Sequence, residues 1–140
     1  MKKIYIVLCL IVSVWALQAC KKNNDNPTPA STTNQNLLNT WKVSQVLEGS
    51  LDVTAEFTAY RLTLNESNGN KSFSLTDRQG TTITGNWSIS TDETTLTLTP
   101  IGAADITFSN VTISVGELKY NGIIQGKTGN LTLAFTLIPA

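Results

Sequence analysis

The sequence predicts an all-β protein, an antiparallel up-and-down barrel of about eight strands. From residue 37 onward, apolar residues recur at every second position, which is the period of a strand with one buried face. Threonine and serine fill many of the alternate positions, and β-branched threonine favours a half-exposed pleated surface. Short turn segments separate the apolar runs and leave no room for crossover helices, so neighbouring strands pair as hairpins. Closure into a barrel then removes the exposed edges of the sheet.

The apolar runs follow one another to the end of the chain. Their members are Trp41 and Val43; Tyr60, Leu62 and Leu64; Phe73 and Leu75; Ile83, Gly85, Trp87 and Ile89; Leu96 and Leu98; Ile106 and Phe108; Val111, Ile113 and Val115; Leu118 and Tyr120; and Leu131, Leu133, Phe135 and Leu137. The predicted turns lie at residues 68–70, 78–80, 91–93 and 100–104, at Asn110, and at residues 126–130.

One short segment, residues 52–57, is predicted to be helical. Val53 and Phe57 lie four residues apart, and Thr54 is a suitable cap, so this turn can plug one end of the barrel.

Alternation alone does not decide which face of the barrel is inside. A pore with a threonine lining needs strands of about 9 to 11 residues and girdles of aromatic side chains. The runs here cover about six to eight residues, and their aromatic residues occur singly among the apolar positions. We therefore expect the apolar face inside.

The start of the chain has the composition of a secretory signal peptide. Lys2 and Lys3 form a positive head, and residues 4–19 are almost wholly apolar. This run is shorter than the roughly 20 residues that a membrane-spanning helix needs, which makes a permanent transmembrane helix the weaker alternative. We expect residues 1–19 to be removed.

The signal ends in Leu17-Gln18-Ala19-Cys20, which resembles the lipobox of bacterial lipoproteins. The resemblance implies that the Cys20 thiol carries a diacylglyceryl group, that cleavage precedes this cysteine, and that a membrane is a partner. The alternative is an ordinary signal peptide with an incidental cysteine, which would leave a lone reactive thiol on an exported protein. We expect the protein in the bacterial cell envelope, at the outer membrane. Both the periplasmic face and the cell-surface face of that membrane stay open as its location.

Residues 20–36 are predicted to form the lipidated cysteine and a disordered tether. Residues 21–36 contain no large apolar residue and include Pro27 and Pro29, so they are not expected to join a core. A flexible coil of this length spans roughly 20 to 25 Å, which holds the folded domain, residues 37–140, just off the lipid surface.

Composition excludes several classes of function. Ten basic residues against ten acidic ones leave no basic footprint for nucleic acid. Histidine is absent, and cysteine occurs only at Cys9, in the discarded segment, and at Cys20. Zinc sites built from His or Cys, histidine-based triads and an internal disulfide framework therefore lack their residues. We expect a non-enzymatic protein with no metal and no cofactor.

Few charged residues are candidates for a site. Glu48, Asp52 and Glu56 have the densest acidic spacing, and paired carboxylates can transfer protons or bind calcium. A calcium loop needs more oxygen ligands in closer series, so solvated loop charges are the better interpretation. Arg61 and Arg78 are candidates for holding an anion, although single arginines near strand ends usually belong to the plain surface.

The opening Leu38-Asn39-Thr40-Trp41-Lys42-Val43 resembles the Gly-x-Trp opening of lipocalin and calycin barrels. It is more closely similar to the small lipocalin-like lipoproteins of Bacteroidota. Residues 52–57, the strand around Gly85-Asn86-Trp87 and the ending at Ile138-Pro139 are similar to the same pattern. The resemblance implies a lipocalin-like barrel whose base is closed by Trp41, with Asn39 standing where glycine is usual.

Seven aromatic residues are predicted on the apolar face: Trp41, Tyr60, Phe73, Trp87, Phe108, Tyr120 and Phe135. They can line a pocket for a small apolar ligand, or they can simply be the core, because an eight-stranded barrel is just wide enough to be filled by its own side chains. Two hypotheses therefore stay open. The protein is either a lipid-anchored binder or carrier of a small hydrophobic molecule, or a structural and interaction module with a filled barrel that contacts an envelope protein or polysaccharide.

Overall fold

The computed structural model describes residues 32–126 and 129–140. Its elements are helix α1 (Thr32–Leu37), β1 (Thr40–Glu48), β2 (Leu51–Asp52), a 3₁₀ helix (Thr54–Phe57), β3 (Arg61–Ser67), β4 (Asn70–Thr76), β5 (Thr82–Ile89), β6 (Leu96–Pro100), β7 (Ile106–Ser114), β8 (Glu117–Gly126) and β9 (Gly129–Pro139). The signal peptide, Cys20 and the tether up to residue 31 lie outside the described residues.

Eight of the strands form a closed antiparallel barrel. Strands β3 to β9 pair in chain order, and β1 pairs with both β3 and β9, which closes the sheet. Strand β2 is a two-residue arm that folds back on the end of β1. The prediction of an all-β up-and-down barrel is confirmed.

The apolar face of the barrel points inward. On β3 and β4, for example, Leu62 lies opposite Leu75 and Leu64 lies opposite Phe73, and all four side chains are buried. Among the described residues the buried side chains form one hydrophobic cluster without a fully buried charged group. Alternation with period two therefore translates directly into an apolar interior.

The two ends of the barrel differ. At the lower end, where β1 begins, lie α1 and the turns at residues 68–69, 91–93 and 115–116. At the upper end lie the turn between β1 and β2, the 3₁₀ helix and the turns at residues 77–81 and 101–105. No helix within the described ranges has the length and hydropathy needed to cross a membrane.

Helix α1 closes the lower end. Leu37 and Trp41 are fully buried, and the indole Nε1 of Trp41 donates a hydrogen bond to the carbonyl of Leu37 at 3.0 Å. The helix contacts β7 across the lower end of the barrel. The prediction of a disordered tether through residue 36 is therefore wrong at its end, because residues 32–36 are helical. A helix of six residues is not stable alone, and its contacts with the barrel stabilise it.

The sequence predicts a turn at Asn110, and this prediction is wrong. Asn110 lies inside β7 with a φ of 53°, at a shift in register between Ser109 and Thr112. The extra residue makes a β-bulge, and asparagine tolerates the left-handed conformation that the bulge requires. The apolar runs on both sides of Asn110 therefore belong to one strand. The true turn is at Gly116, and Val115 beside it is 91% exposed rather than on the inner face.

The predicted helical segment is present as the 3₁₀ helix, but its N-cap is Val53 and no side chain caps it. The Thr54 hydroxyl accepts a hydrogen bond from the backbone N–H of Val46 at 2.9 Å, which ties the helix to β1. The N–H of Thr54 donates to Oδ1 of Asp52 at 2.9 Å, which fixes the turn that leads into the helix. The buried Phe57 then reaches into the upper end of the barrel.

Gly85 on β5 marks a close approach of neighbouring strands. A Cβ atom there would lie against the carbonyl oxygen of Thr99, 2.8 Å from Cα of Pro100 and 2.9 Å from a ring carbon of Phe73. Two of these atoms are backbone, so the sheet leaves no space for a side chain at this inward position.

Candidate functional site

A cavity of about 340 Å³ opens at the upper end of the barrel. We call it the upper cavity. Its walls come from the 3₁₀ helix and the residues before β3, from the end of β4 and the turn after it, from the start of β7, from the second half of β8 and from the middle of β9. The apolar and aromatic members, with Gly122, are Phe57, Tyr60, Leu75, Ile106, Phe108, Gly122, Ile124 and Phe135. A second recess of about 440 Å³ adjoins it and shares Phe57, Arg78, Ile124 and Gln125. The volume of the upper cavity lies in the range typical of small-molecule sites.

Stacked aromatic rings form the floor of the upper cavity. The rings of Phe108 and Tyr120 lie 4.2 Å apart at 22°, and those of Tyr120 and Phe135 lie 5.1 Å apart at 24°. Phe57 meets Phe135 edge-on, with 5.3 Å between ring centroids. Since Tyr120 and Phe135 are register partners on β8 and β9, the sheet itself sets this stack.

Gly122 contributes no side chain to the cavity wall above this floor. It is the next inward residue after Tyr120 on β8, and a Cβ at this position would lie 3.2 Å from a ring carbon of Phe135 and 3.6 Å from ring carbons of Phe108. A larger residue would press on both rings and occupy the cavity.

Two tyrosine hydroxyls meet in the interior. The hydroxyl oxygens of Tyr60 and Tyr120 lie 2.7 Å apart, within hydrogen-bond distance, and both side chains are buried, at 6% and 1% exposure. Burial raises the pKa of Tyr60, although the hydrogen bond with Tyr120 partly opposes this shift. Burial also raises the pKa of Tyr120, and the nearby Tyr60 adds to it. Both phenols therefore remain neutral at physiological pH.

The rim of the upper cavity carries one ion pair. The guanidinium of Arg78 donates to Oε2 of Glu56 at 3.1 Å and lies 5.8 Å from the ring centroid of Phe57. The carboxylate of Asp77 accepts hydrogen bonds from the backbone N–H groups of Gln79 and Thr81, at 2.8 and 2.9 Å, which shapes the turn that presents Arg78. Because the pair is solvent-exposed, it contributes only about 0 to 1 kcal/mol to stability.

Arg61, the second arginine considered as an anion site, binds backbone carbonyls. Both contacts of Arg61 are bonds from Nη1 to backbone carbonyls, to Thr58 at 3.0 Å and to Tyr60 at 2.7 Å. These bonds hold the segment that leads from the 3₁₀ helix into β3, and thereby position Tyr60.

The acidic candidates do not form a single site. Glu48 and Glu56 border the second recess, whereas Asp52 accepts a hydrogen bond from the N–H of Thr54 at the start of the 3₁₀ helix. Hydrogen bonds from Thr54, and then from Gln45, lower the pKa of the Asp52 carboxyl. Residues 32–126 and 129–140 bring together no group of three His, Cys, Asp or Glu side chains that could hold a metal ion.

All seven aromatic residues singled out in the sequence are buried, but they divide into two groups. Tyr60, Phe108 and Phe135 line the upper cavity, and Tyr120 lies between the two phenylalanine rings. The other three, Trp41, Phe73 and Trp87, line neither cavity.

Trp87 belongs to the lower part of the core. Its Nε1 donates to the carbonyl of Asn65 on β3 at 3.0 Å, and the ammonium of Lys71 on β4 lies 4.6 Å from its ring centroid. Trp87 is 3% exposed and lines neither of the two cavities described above.

Sequence reasoning missed two residues of the upper cavity. Phe57 was predicted to plug the barrel end, yet it also forms a wall. Gly122 was not singled out at all, although a glycine inside an alternating strand is a signal of close packing or of space reserved for a neighbour.

Comparison with protein families gives a match over residues 37–120 to the model described as the lipocalin-like domain. The matched span begins at Leu37, under the lower end of the barrel, and ends at Tyr120 in the aromatic floor. Comparison with curated proteins gives no match.

Proposed function

Because the chain belongs to the lipocalin-like domain family, we propose that it is a non-enzymatic, lipid-anchored protein that binds one small hydrophobic molecule in the upper cavity. The observation that carries this proposal is the cavity itself, about 340 Å³ of space walled mainly by apolar and aromatic side chains. Small-molecule sites combine such walls with a few polar groups that orient the ligand. Here the polar lining residues include Tyr60, Asp77, Arg78 and Gln79.

The lower half of the barrel, unlike the upper half, is filled by its own side chains, and this difference supports the same assignment. Trp41, Leu62, Leu64 and Trp87 fill it, and its end is closed by α1. Among the described residues, the route into the upper cavity is through the upper end of the barrel.

To test ligand binding, we would use the chain from residue 21 onward, which contains every barrel strand because the sheet closes between residues 40 and 139. Native mass spectrometry of this protein, expressed in its own host, should show a retained small mass. Ile106→Trp places a large side chain in the cavity wall and should strongly weaken binding of the neutral dye Nile red. The matched control is Val115→Trp, on an exposed turn, which should bind as the wild type does.

A contrary result is well defined. A barrel that is always isolated empty, with equally weak dye binding in all three proteins, would contradict the proposal and favour the interaction module of the cell envelope.

The proposed anchor rests on the lipobox-like residues 17–20 and on the tether. Two or three acyl chains at Cys20 would hold the protein on a membrane almost permanently, since each buried methylene contributes about 0.8 kcal/mol. The tether is continuous with α1, which lies at the lower end of the barrel. The upper cavity therefore opens at the end opposite the one to which the tether is attached. We propose the outer membrane as the location.

Metabolic labelling with a palmitate analogue tests the anchor. The wild type and Cys9→Ala should both be labelled, because Cys9 belongs to the segment that we expect to be removed. Cys20→Ala should be unlabelled and should leave the membrane fraction or remain unprocessed. Equal labelling of Cys20→Ala and wild type would contradict the assignment.

A further inference from the structure

The tyrosine pair contains one more donor than the protein uses. Two phenols carry two hydroxyl protons, but Tyr60 and Tyr120 share a single hydrogen bond at 2.7 Å. Within residues 32–126 and 129–140, neither hydroxyl has another hydrogen-bond partner. One phenol therefore donates to the other, and the second proton has no acceptor among these residues. A buried donor without an acceptor is unfavourable, so this proton favours an acceptor supplied from outside the protein.

The geometry identifies Tyr60 as the residue with the free proton. Tyr60 lines the upper cavity, whereas Tyr120 is packed between the rings of Phe108 and Phe135. In the arrangement that serves both groups, Tyr120 donates to the oxygen of Tyr60, and Tyr60 directs its own proton toward the cavity. The bond from Tyr120 also polarises the Tyr60 hydroxyl and makes it a better donor.

Charge at the rim selects the kind of acceptor. Among the described residues, the charged side chains bordering the two cavities are Glu48, Glu56, Asp77 and Arg78, and Arg78 is already paired with Glu56. An anionic group would pass this acidic rim and then be buried against aromatic rings without a cation. A neutral oxygen meets neither cost.

We propose that the Tyr60 hydroxyl is a specificity-determining donor of the upper cavity, and that the ligand is a neutral, flat apolar molecule with a carbonyl oxygen at the end that enters first. This inference rests on the proposed function. The nearly parallel rings of Phe108, Tyr120 and Phe135 match a flat ligand, and Gly122 adds no side chain to the cavity wall above them.

The test uses 2-acetylnaphthalene and 2-ethylnaphthalene, which share ring system and approximate size but differ in the carbonyl. Dissociation constants are measured by calorimetry with the chain from residue 21 onward. In Tyr60→Phe, the preference for the acetyl over the ethyl probe should fall by about 3- to 10-fold relative to wild type, which is the net value of one neutral hydrogen bond. Tyr120→Phe should lower the preference less than Tyr60→Phe does, because Tyr60 keeps its proton and loses only the polarising bond. Val115→Ala, on an exposed turn, is the control, and its preference should stay within about twofold of wild type.

The outcomes separate the two proposals. If neither probe binds the wild type, the proposed function fails and the inference fails with it. If both probes bind and Tyr60→Phe leaves their ratio unchanged, the inference is wrong while the proposed function stands. If Tyr120→Phe lowers the ratio as much as Tyr60→Phe does, Tyr60 is not the donor.

A measurement on the wild type covers the case in which the variants do not fold. The infrared carbonyl band of bound 2-acetylnaphthalene should lie below its position in an apolar solvent, since hydrogen bonding weakens the C=O bond. An unshifted band would overturn the inference.

Discussion

Replacing Trp87 by alanine tests whether this residue is core or pocket. The side chain is 3% exposed, and its Nε1 donates to the carbonyl of Asn65 at 3.0 Å. A buried tryptophan covers about 200 Å² of aromatic surface, which at about 25 cal/mol/Å² corresponds to roughly 5 kcal/mol as an upper estimate. Measured costs of deleting large buried aromatics are about 3 to 5 kcal/mol. A domain of about 100 residues has about 5 to 15 kcal/mol of stability, so Trp87→Ala should unfold much of the population or sharply lower its Tm.

Urea denaturation, followed by circular dichroism, measures the effect. Trp87→Phe keeps an aromatic ring but loses the donor to Asn65, so it should cost only about 1 to 3 kcal/mol. Val115→Ala removes an apolar side chain from an exposed turn and should stay within about 0.5 kcal/mol of wild type. A Trp87→Ala midpoint equal to that of the wild type, together with loss of Nile red binding, would refute the core assignment and make Trp87 part of a ligand pocket.

Two further predictions concern the packing and the tyrosine pair. Gly85→Ala should cost at least about 2 kcal/mol in urea denaturation, because backbone atoms block the new methyl group, and Gly122→Ala should cost less because only side-chain rings must move. Equal costs would contradict this packing. The pKa values of Tyr60 and Tyr120 are raised in the folded state, so the unfolded state loses their protons first as the pH rises. The free energy of unfolding should be insensitive to these groups below about pH 9 and should fall above about pH 10, by up to about 1.4 kcal/mol per pH unit for each. The double variant Tyr60→Phe/Tyr120→Phe should show a smaller fall, and an identical pH dependence would contradict the assignment.

The inner face of the barrel could be predicted from the sequence because it depends on local geometry. Successive side chains of a strand point to opposite faces, so alternating apolar residues such as Leu62 and Leu64 identify the buried side without knowledge of any partner strand. The buried positions of Trp41 and Trp87 followed from the same pattern. The closed antiparallel order followed from short connections that permit hairpins only.

Local signals were misleading where one residue type serves two conformations. Asparagine in the left-handed region occurs in turns and in bulges alike, and only the pairing of β7 with β8 shows that Asn110 belongs to a bulge. Helix α1 was missed because six residues, five of them polar, have little helical stability of their own. The burial of Leu37 and its bond with Trp41 stabilise that helix.

The sequence by itself determined the fold class, the inward aromatic residues and the absence of histidine and of basic clusters. Only the tertiary structure decided which of those aromatics are core and which are walls of a cavity. The reason is that a cavity and a buried donor depend on distances between residues far apart in the chain. Tyr60 and Tyr120 are separated by 60 positions, and their hydroxyls meet at 2.7 Å only because the register of the closed sheet brings the start of β3 and the middle of β8 to the same level.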